Sequence, residues 1–343
     1  MPFLFLALYW YVLYLQRTYA HVDRADERHT VTTQDGFRLA VFRYRPVGVP
    51  RREPPVFLVH GLGANRLNFD AGEECSLARY LAEHGFDCWL VDLRGCGESV
   101  APGRRWGWSF DDHVEHDIPA AVAHVLSVTG HAKLNWVGHS MGGMLLYAYL
   151  LRHGQSKVHR GVTLGAPVQF SPRDDGFYRI VHWERFLRLL PQVPVGNVGR
   201  LVTPLLGVVN PAFVKRQLNV SNVDWPVLRR AFYNTSSHLA PGVLLQFVQW
   251  IKHNDFHARD GFSYSRNLSQ ITTPLLVIAG RGDRLVPKHD VREAFERVSS
   301  TEKQYLELCC EQGFVSDYGH IDLIFGRQAR HEVFPKIVRW LAA

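Results

Sequence analysis

Residues 138–142, Gly-His-Ser-Met-Gly, place a serine between two glycines. An apolar run (Leu134, Trp136, Val137) precedes the pattern and a helix-forming run (Met144 to Leu151) follows it. A serine on a sharp strand-to-helix turn projects its hydroxyl free of the backbone, and small residues two positions away let strand and helix approach. Gly143 adds a further small residue where the two must pack. The helix beginning at Met141 turns its N-terminal amides, and the positive end of its dipole, toward any negative charge that forms beside Ser140. The chemistry implied is nucleophilic attack on a carbonyl.

A serine hydroxyl is a weak nucleophile at neutral pH, so it needs a base within reach and an acid that orients the base. Asp283 follows the apolar run PLLVIA, and His320 follows the last such run by a loop. Ser140, Asp283 and His320 thus occur in the order that accompanies this kind of elbow. Asp317 and Asp322 are rivals for the acid but lie in the same loop as His320, awkwardly placed for its far nitrogen. His289 opens a helix and His257 lies in a long insertion, so both are poorer bases. His139 is too close to Ser140 to serve it and is expected beneath the turn. After the run Val56 to Val59 come His60-Gly61-Leu62-Gly63. Such a loop could aim the Leu62 amide at a developing oxyanion, with the Met141 amide as second donor; an ordinary glycine-rich turn fits the same residues.

The elements that must position these groups alternate along the chain. His29 to Tyr44 reads as a hairpin around Asp35-Gly36. Buried strands are expected at Val56 to Val59, Asp87 to Asp92, the elbow strand, His159 to Val168, Pro274 to Ala279 and Gln304 to Cys309. Helices are expected at Ala71 to His84, Asp111 to Thr129 with Asp111 or Asp112 as N-cap, Lys288 to Val298 and Gln328 to Leu341. Strand–helix alternation predicts an α/β fold with a mostly parallel sheet and helices on both faces. The chemistry-bearing residues then fall at the carboxyl ends of strands, where open sheets hold their sites. Residues 169–270 break the alternation. Apolar helical stretches (Ile180 to Leu190, Val243 to Ile251) are interrupted by Pro191, Pro194, Pro204, Pro211, Pro226 and Pro241. They read as a helical insertion (169–270) between core segments 29–168 and 271–343, which can cover the site or simply pack on the core with no gating role.

The chain has 343 residues, 46% hydrophobic and 21% charged, which provides for a sizeable core and argues against disorder. The formal net charge of +7 is spread as scattered arginines with no basic block. No zinc-finger spacing, RNA-binding aromatic signature or phosphate-loop lysine motif occurs, so nucleic acid is not an expected partner. Five cysteines without framework spacing argue against a disulfide scaffold, and Cys309-Cys310 are expected as buried thiols. His113, Glu115 and His116 do not make H-E-x-x-H and are expected on a solvated helix start, with no metal.

Pro2 to Leu15 is almost wholly apolar, shorter than the ~20 residues that span a bilayer. Tyr9, Trp10, Tyr11 and Tyr14 are of the kinds that prefer the membrane interface. Residues 1–20 fit a membrane-associated anchor, a secretory signal or a helix packed on the protein's own surface. The expectation taken forward is a membrane-associated or exported protein, with a cytoplasmic one as the alternative.

Three segments resemble the acid lipase branch of the α/β-hydrolase superfamily, the lysosomal and gastric lipases and their bacterial relatives. VTTQDGFRLAVFRYRP from Val31 resembles its opening strand pair, VFLVHGL from Val56 its oxyanion segment, and GHIDLIFGRQARHEVFPKIVRWL from Gly319 its His-plus-aromatic ending. GHSMG is common to many branches. The resemblance covers the core and hardly touches the insertion. It implies an α/β-hydrolase fold, hydrolysis of carboxylic esters of lipids without a cofactor, and a helical cap over an apolar tunnel. The polyhydroxyalkanoate polymerases are similar around the elbow and the closing histidine but use cysteine, so Ser140 points to hydrolysis. Acyl transfer to an alcohol uses the same residues, and a non-catalytic binding protein on this fold is the alternative from another class.

Overall fold

The computed structural model describes residues 2–99, 106–173, 176–209 and 212–343. Its strands are β1 (Glu27–Thr32), β2 (Arg38–Tyr44), β3 (Arg52–Val59), β4 (Phe86–Val91), β5 (Leu134–His139), β6 (Val158–Leu164), β7 (Leu275–Gly280) and β8 (Lys303–Leu308). They form one sheet in the order β1-β2-β4-β3-β5-β6-β7-β8. β2 runs antiparallel to both neighbours, and every other pair is parallel. The sheet is thus mostly parallel, as the alternation of strands and helices predicts, and its architecture is the α/β-hydrolase fold that the resemblance implies.

Burial explains the strand sequences. β4, β5 and β7 are buried at every position, so they read as unbroken apolar runs, whereas edge strand β1 alternates. Successive side chains go to opposite faces. Phe57, Val59, Trp89 and Trp136 join one core cluster, and Val56, Leu58, Leu90 and Val137 join another. The parallel register pairs Val59 with Gly138, Gly138 with Thr163, and Thr163 with Val277. The carboxyl ends of four strands therefore lie level, and the loops that follow them share one sheet edge.

Several helices depart from expectation. The helix expected over Ala71 to His84 begins only at Leu77, because Ser76 accepts the Arg79 amide (3.1 Å) and caps it there. In the helix expected from Asp111, the cap is Ser109, whose amide and hydroxyl both donate to Asp112, and residues 113–117 form a wider π turn. His113 is buried there, its Nδ1 2.7 Å from Asp117, so it does not lie on a solvated helix start. The strand expected at His159 to Val168 ends at Leu164. Ile180 to Leu190 is not one α-helix but a 3₁₀ stretch Gly176–Trp183 followed by the short Glu184–Leu187; β-branched and aromatic side chains crowd an α-turn there. The closing helix breaks at Val333, since Pro335 has no N–H to continue the ladder. Cys309 is buried but Cys310 is exposed, and all five cysteines are free.

Between β6 and β7 the described residues form helices, turns and isolated bridges, including Trp225–Thr235 and Pro241–His253. Pro211, one of the expected breaks, lies outside the described residues. This segment is tied to the loop after β3: the Ser237 amide donates to the Gly63 carbonyl (2.8 Å), and Asn65 Nδ2 donates to the Asn234 carbonyl (2.8 Å).

Pro2–Tyr19 is a single helix. It packs on Val195–Val202 and Trp225–Thr235, with Leu15 and Tyr19 buried. Tyr11 Oη donates to the Leu201 carbonyl (2.8 Å), and Asn234 Nδ2 donates to the Tyr19 carbonyl (2.7 Å). Among the described residues, no helix is long and apolar enough to cross a membrane.

Candidate active site

Ser140 sits between β5 and the helix Met141–Arg152 with φ +53° and ψ −120°. A non-glycine residue in that region is strained, and the surrounding packing must hold it there. The Ser140 amide donates to the Leu164 carbonyl of β6 (2.8 Å). A side chain at Gly142 would overlap the Val59 carbonyl, and one at Gly138 would overlap the Gly142 carbonyl. At Gly143 a Cβ would lie 2.5 Å from the Ala166 Cβ. All three glycines are thus required by close approach of strand, helix and neighbouring loop.

His320 Nδ1 lies 2.7 Å from Asp283 Oδ2. Both side chains are buried, so the pair is shielded from solvent. Asp283 is itself fixed, because its Oδ1 accepts the amides of Leu285 (2.9 Å) and Val286 (2.8 Å). The imidazole rests on Gly165, at the end of β6, where a Cβ would stand 3.0 Å from Nδ1. Ser140, His320, Gly61 and Leu62 line one cavity of about 220 Å³. Its other walls are mainly apolar, with Phe170, Phe177 and Phe247 in one group and Leu228, Phe232 and Phe325 in another. Met141 is buried at the first position of its helix, where N–H groups have no partner within the helix itself.

The rival residues are occupied elsewhere. Asp317 accepts the Cys310 amide (2.9 Å). His257 Nδ1 donates to the Asp255 carbonyl (2.8 Å), and His289 is exposed beside Asp290. Among the described residues, no group of three or more His, Cys, Asp or Glu side chains is arranged to hold a metal ion.

Three further residues support the site, and of these the sequence reading places only His139, beneath the turn. His60 is wholly buried, which pushes its pKa down to about 4 and keeps it neutral. Its Nδ1 donates to the Gly61 carbonyl (2.9 Å), and its Nε2 accepts the Leu93 amide (3.2 Å), pinning the glycine loop to the end of β4. His139, as expected, packs beneath the elbow, and burial lowers its pKa to about 3. Its Nε2 is 3.2 Å from the His320 carbonyl, and its Nδ1 is 3.2 Å from Asn68 Oδ1, the end of the side-chain amide that exchanges places with NH₂ on a flip. A neutral ring that donates through Nε2 leaves Nδ1 as acceptor, so Asn68 serves it through its NH₂. His139 therefore props the backbone of the residue that faces Asp283.

Asp322 is the third. It accepts the amides of Gly319 (3.0 Å) and Asn219 (3.2 Å) and the Asn222 side chain (2.8 Å), joining the His320 loop to the helical segment. Burial pushes its pKa up to about 6 from the ordinary 3.8. A carboxyl raised in the folded state binds its proton more tightly there than in the unfolded chain. Its contribution to stability is thus fullest below the unfolded value near pH 4 and is lost as pH rises through 6. Asp322→Asn abolishes this titration. Chemical denaturation from pH 4 to 7 is expected to show the stability gap between wild type and variant shrinking as pH rises, by on the order of 3 kcal/mol. A gap that does not vary with pH would mean that Asp322 does not titrate in this window.

The profile of the "alpha/beta hydrolase fold" family matches residues 54–326, and that of the "partial alpha/beta-hydrolase lipase region" matches residues 15–71. The gastric triacylglycerol lipase of Mus musculus is 27% identical over 363 aligned positions, covering 92% of this chain and 88% of that protein. The lysosomal acid lipase/cholesteryl ester hydrolase of Homo sapiens is 26% identical, covering 91% and 86%. Among solved structures, an esterase from Exiguobacterium antarcticum superposes with TM-score 0.62 at 17% identity, over 92% of this chain and all of that one. The first profile runs unbroken from β3 past His320, well over half of the chain, and with it the chain belongs to the alpha/beta hydrolase fold family, similar within it to the gastric and lysosomal acid lipases.

Proposed function

We propose that this carboxylic ester hydrolase works through Ser140 as nucleophile, His320 as general base and Asp283 as the acid that orients it, on esters with lipid-like acyl groups. One observation carries the reading: a strained serine at +53° and a carboxylate-held histidine line the same apolar cavity. His320 takes the Ser140 proton through Nε2 as Oγ attacks the ester carbonyl. Asp283 keeps the Nδ1–H tautomer and stabilises the imidazolium that forms. The Leu62 and Met141 amides receive the oxyanion, and losing one such donor costs on the order of 100- to 1000-fold. As the tetrahedral adduct collapses, His320 gives its proton to the leaving alcohol. Water, deprotonated by the same histidine, then releases the acid and restores Ser140.

The walls support an apolar substrate. The leaving alcohol departs toward His320, and the short helix Asp322–Phe325 that follows lines the cavity with Phe325 and packs on Trp225–Thr235, the source of Leu228 and Phe232. Residues 169–270 act as a cap over the core formed by 29–168 and 271–343. The test is hydrolysis of 4-nitrophenyl esters from acetate to palmitate. Turnover is expected, with kcat/KM rising toward medium or long chains because each buried methylene adds about 0.8 kcal/mol. Absence of turnover on the whole series would move the weight to a binding protein, and turnover only in the presence of an alcohol acceptor would move it to acyl transfer.

A further inference from the structure

The helix Pro2–Tyr19 leaves most of its apolar surface in water. Phe3, Phe5, Leu6, Leu8, Tyr9, Trp10 and Tyr14 are exposed, Trp10 to 58%. A helix apolar on all sides is normally buried, and a contiguous exposed apolar surface marks an interaction site. The helix is not alone. It meets the cap at the Tyr11–Leu201 hydrogen bond, and from there the cap exposes its own run: Val198, Leu201, Val202, Leu205, Val208 and Val209. That run begins at Val195, which lines the cavity and is itself 40% exposed.

We propose that the N-terminal helix and the cap stretch Val195 to Val209 form one composite platform that seats on an anionic lipid surface, with the cavity mouth against the lipid. Whether that cavity is the substrate site rests on the function proposed above; the docking itself does not. Three observations select lipid as the occupant. Among the described residues no helix is long and apolar enough to cross a bilayer, and an 18-residue helix rich in aromatic residues is suited to lie in its interface. Its middle carries Tyr9, Trp10, Tyr11 and Tyr14, aromatics that settle at the headgroup level. Charge points the same way: residues 2–20 and 195–209 contain Arg17 and Arg200 and no Asp or Glu. A second copy of this chain seated on the same face would oppose two cationic surfaces, whereas an anionic bilayer complements them.

The experiment is flotation with vesicles of phosphatidylcholine containing roughly a quarter phosphatidylglycerol, an anionic level chosen for the surface charge such lipids supply. It uses wild type and two double variants, one per arm: Phe5→Ser with Trp10→Ser, and Val198→Glu with Leu205→Glu. Each pair is expected to lower vesicle affinity at least about tenfold, the scale of withdrawing large apolar side chains from lipid. Added salt should weaken binding, and vesicles of phosphatidylcholine alone should bind less. Binding is repeated in the Ser140→Ala background, where it should persist, and both pairs should retain wild-type turnover of the soluble acetate ester. A failed hydrolase reading thus leaves the docking result standing, and the reverse holds as well. Unchanged binding by the cap pair would overturn the composite platform, and no binding by wild type would overturn docking altogether. A wild-type dimer in sedimentation, dispersed by both pairs in the absence of vesicles, would assign the surface to a second copy and overturn the lipid assignment.

Discussion

Ser140→Ala is expected to lower kcat for every ester the wild type turns over by at least about 10,000-fold, with KM little changed. The substitution deletes one oxygen and keeps Cβ, so the contacts of the elbow survive. Backbone strain at φ +53° is the same for alanine as for serine, so the fold has no new reason to relax. His320 and Asp283 stay in place, because their mutual hydrogen bond and the Leu285 and Val286 amides do not involve Ser140. What disappears is the atom proposed to form the acyl-enzyme. Steady-state kinetics on the acetate and longest active ester check the prediction, with circular dichroism to show that the fold is retained. Loss of less than about tenfold would remove Ser140 from the nucleophile's role, since residual binding and oxyanion donors do not sustain near-wild-type rates.

Asp283→Asn should cost nearly as much, on the order of 10,000-fold in kcat, for a reason visible in its two oxygens. Oδ1 accepts two backbone amides, and Oδ2 faces His320 Nδ1. An asparagine in this site must give its carbonyl oxygen to the two amides, because an NH₂ there would meet two donors. Its NH₂ then points at Nδ1 and makes that nitrogen the acceptor. The ring proton moves to Nε2, the nitrogen that receives the Ser140 proton in the proposed mechanism. The variant is expected to fold normally, bind substrate and fail in chemistry. Wild-type kcat with intact thermal stability would contradict the assignment. A large drop in stability without a selective loss of kcat would make Asp283 a turn residue, the ordinary reading of an aspartate after Gly282.

The legible parts of the sequence were those where one physical cause dominates. Strands buried on both faces wrote themselves as apolar runs, and the spacing of Gly138, Gly142 and Gly143 around Ser140 recorded close approaches that leave no room for a Cβ. The level register of β3, β5, β6 and β7 then brings the predicted loops to one edge. Helix bounds were less legible. Ser76 and Ser109 compete locally with the helix for amides, and only the competition's outcome fixes where a helix starts. Least legible were the supports. His60, His139 and Asp322 act through backbone groups distant in sequence, and a hydrogen bond from a ring to the carbonyl of residue 320 leaves no periodic trace. In residues 169–270, frequent prolines announced irregular helices but not which side chains would face the cavity.

The most direct test of the central claim is covalent. Wild type would be treated with a fluorophosphonate, digested, and the adduct located by mass spectrometry, alongside a sample preincubated with the best ester substrate. The account predicts one adduct, on the hydroxyl of Ser140, slowed by the substrate and greatly slowed by Asp283→Asn. Ester turnover by a protein whose Ser140 stays unmodified, or an adduct on another residue whose formation tracks the loss of activity, would contradict it.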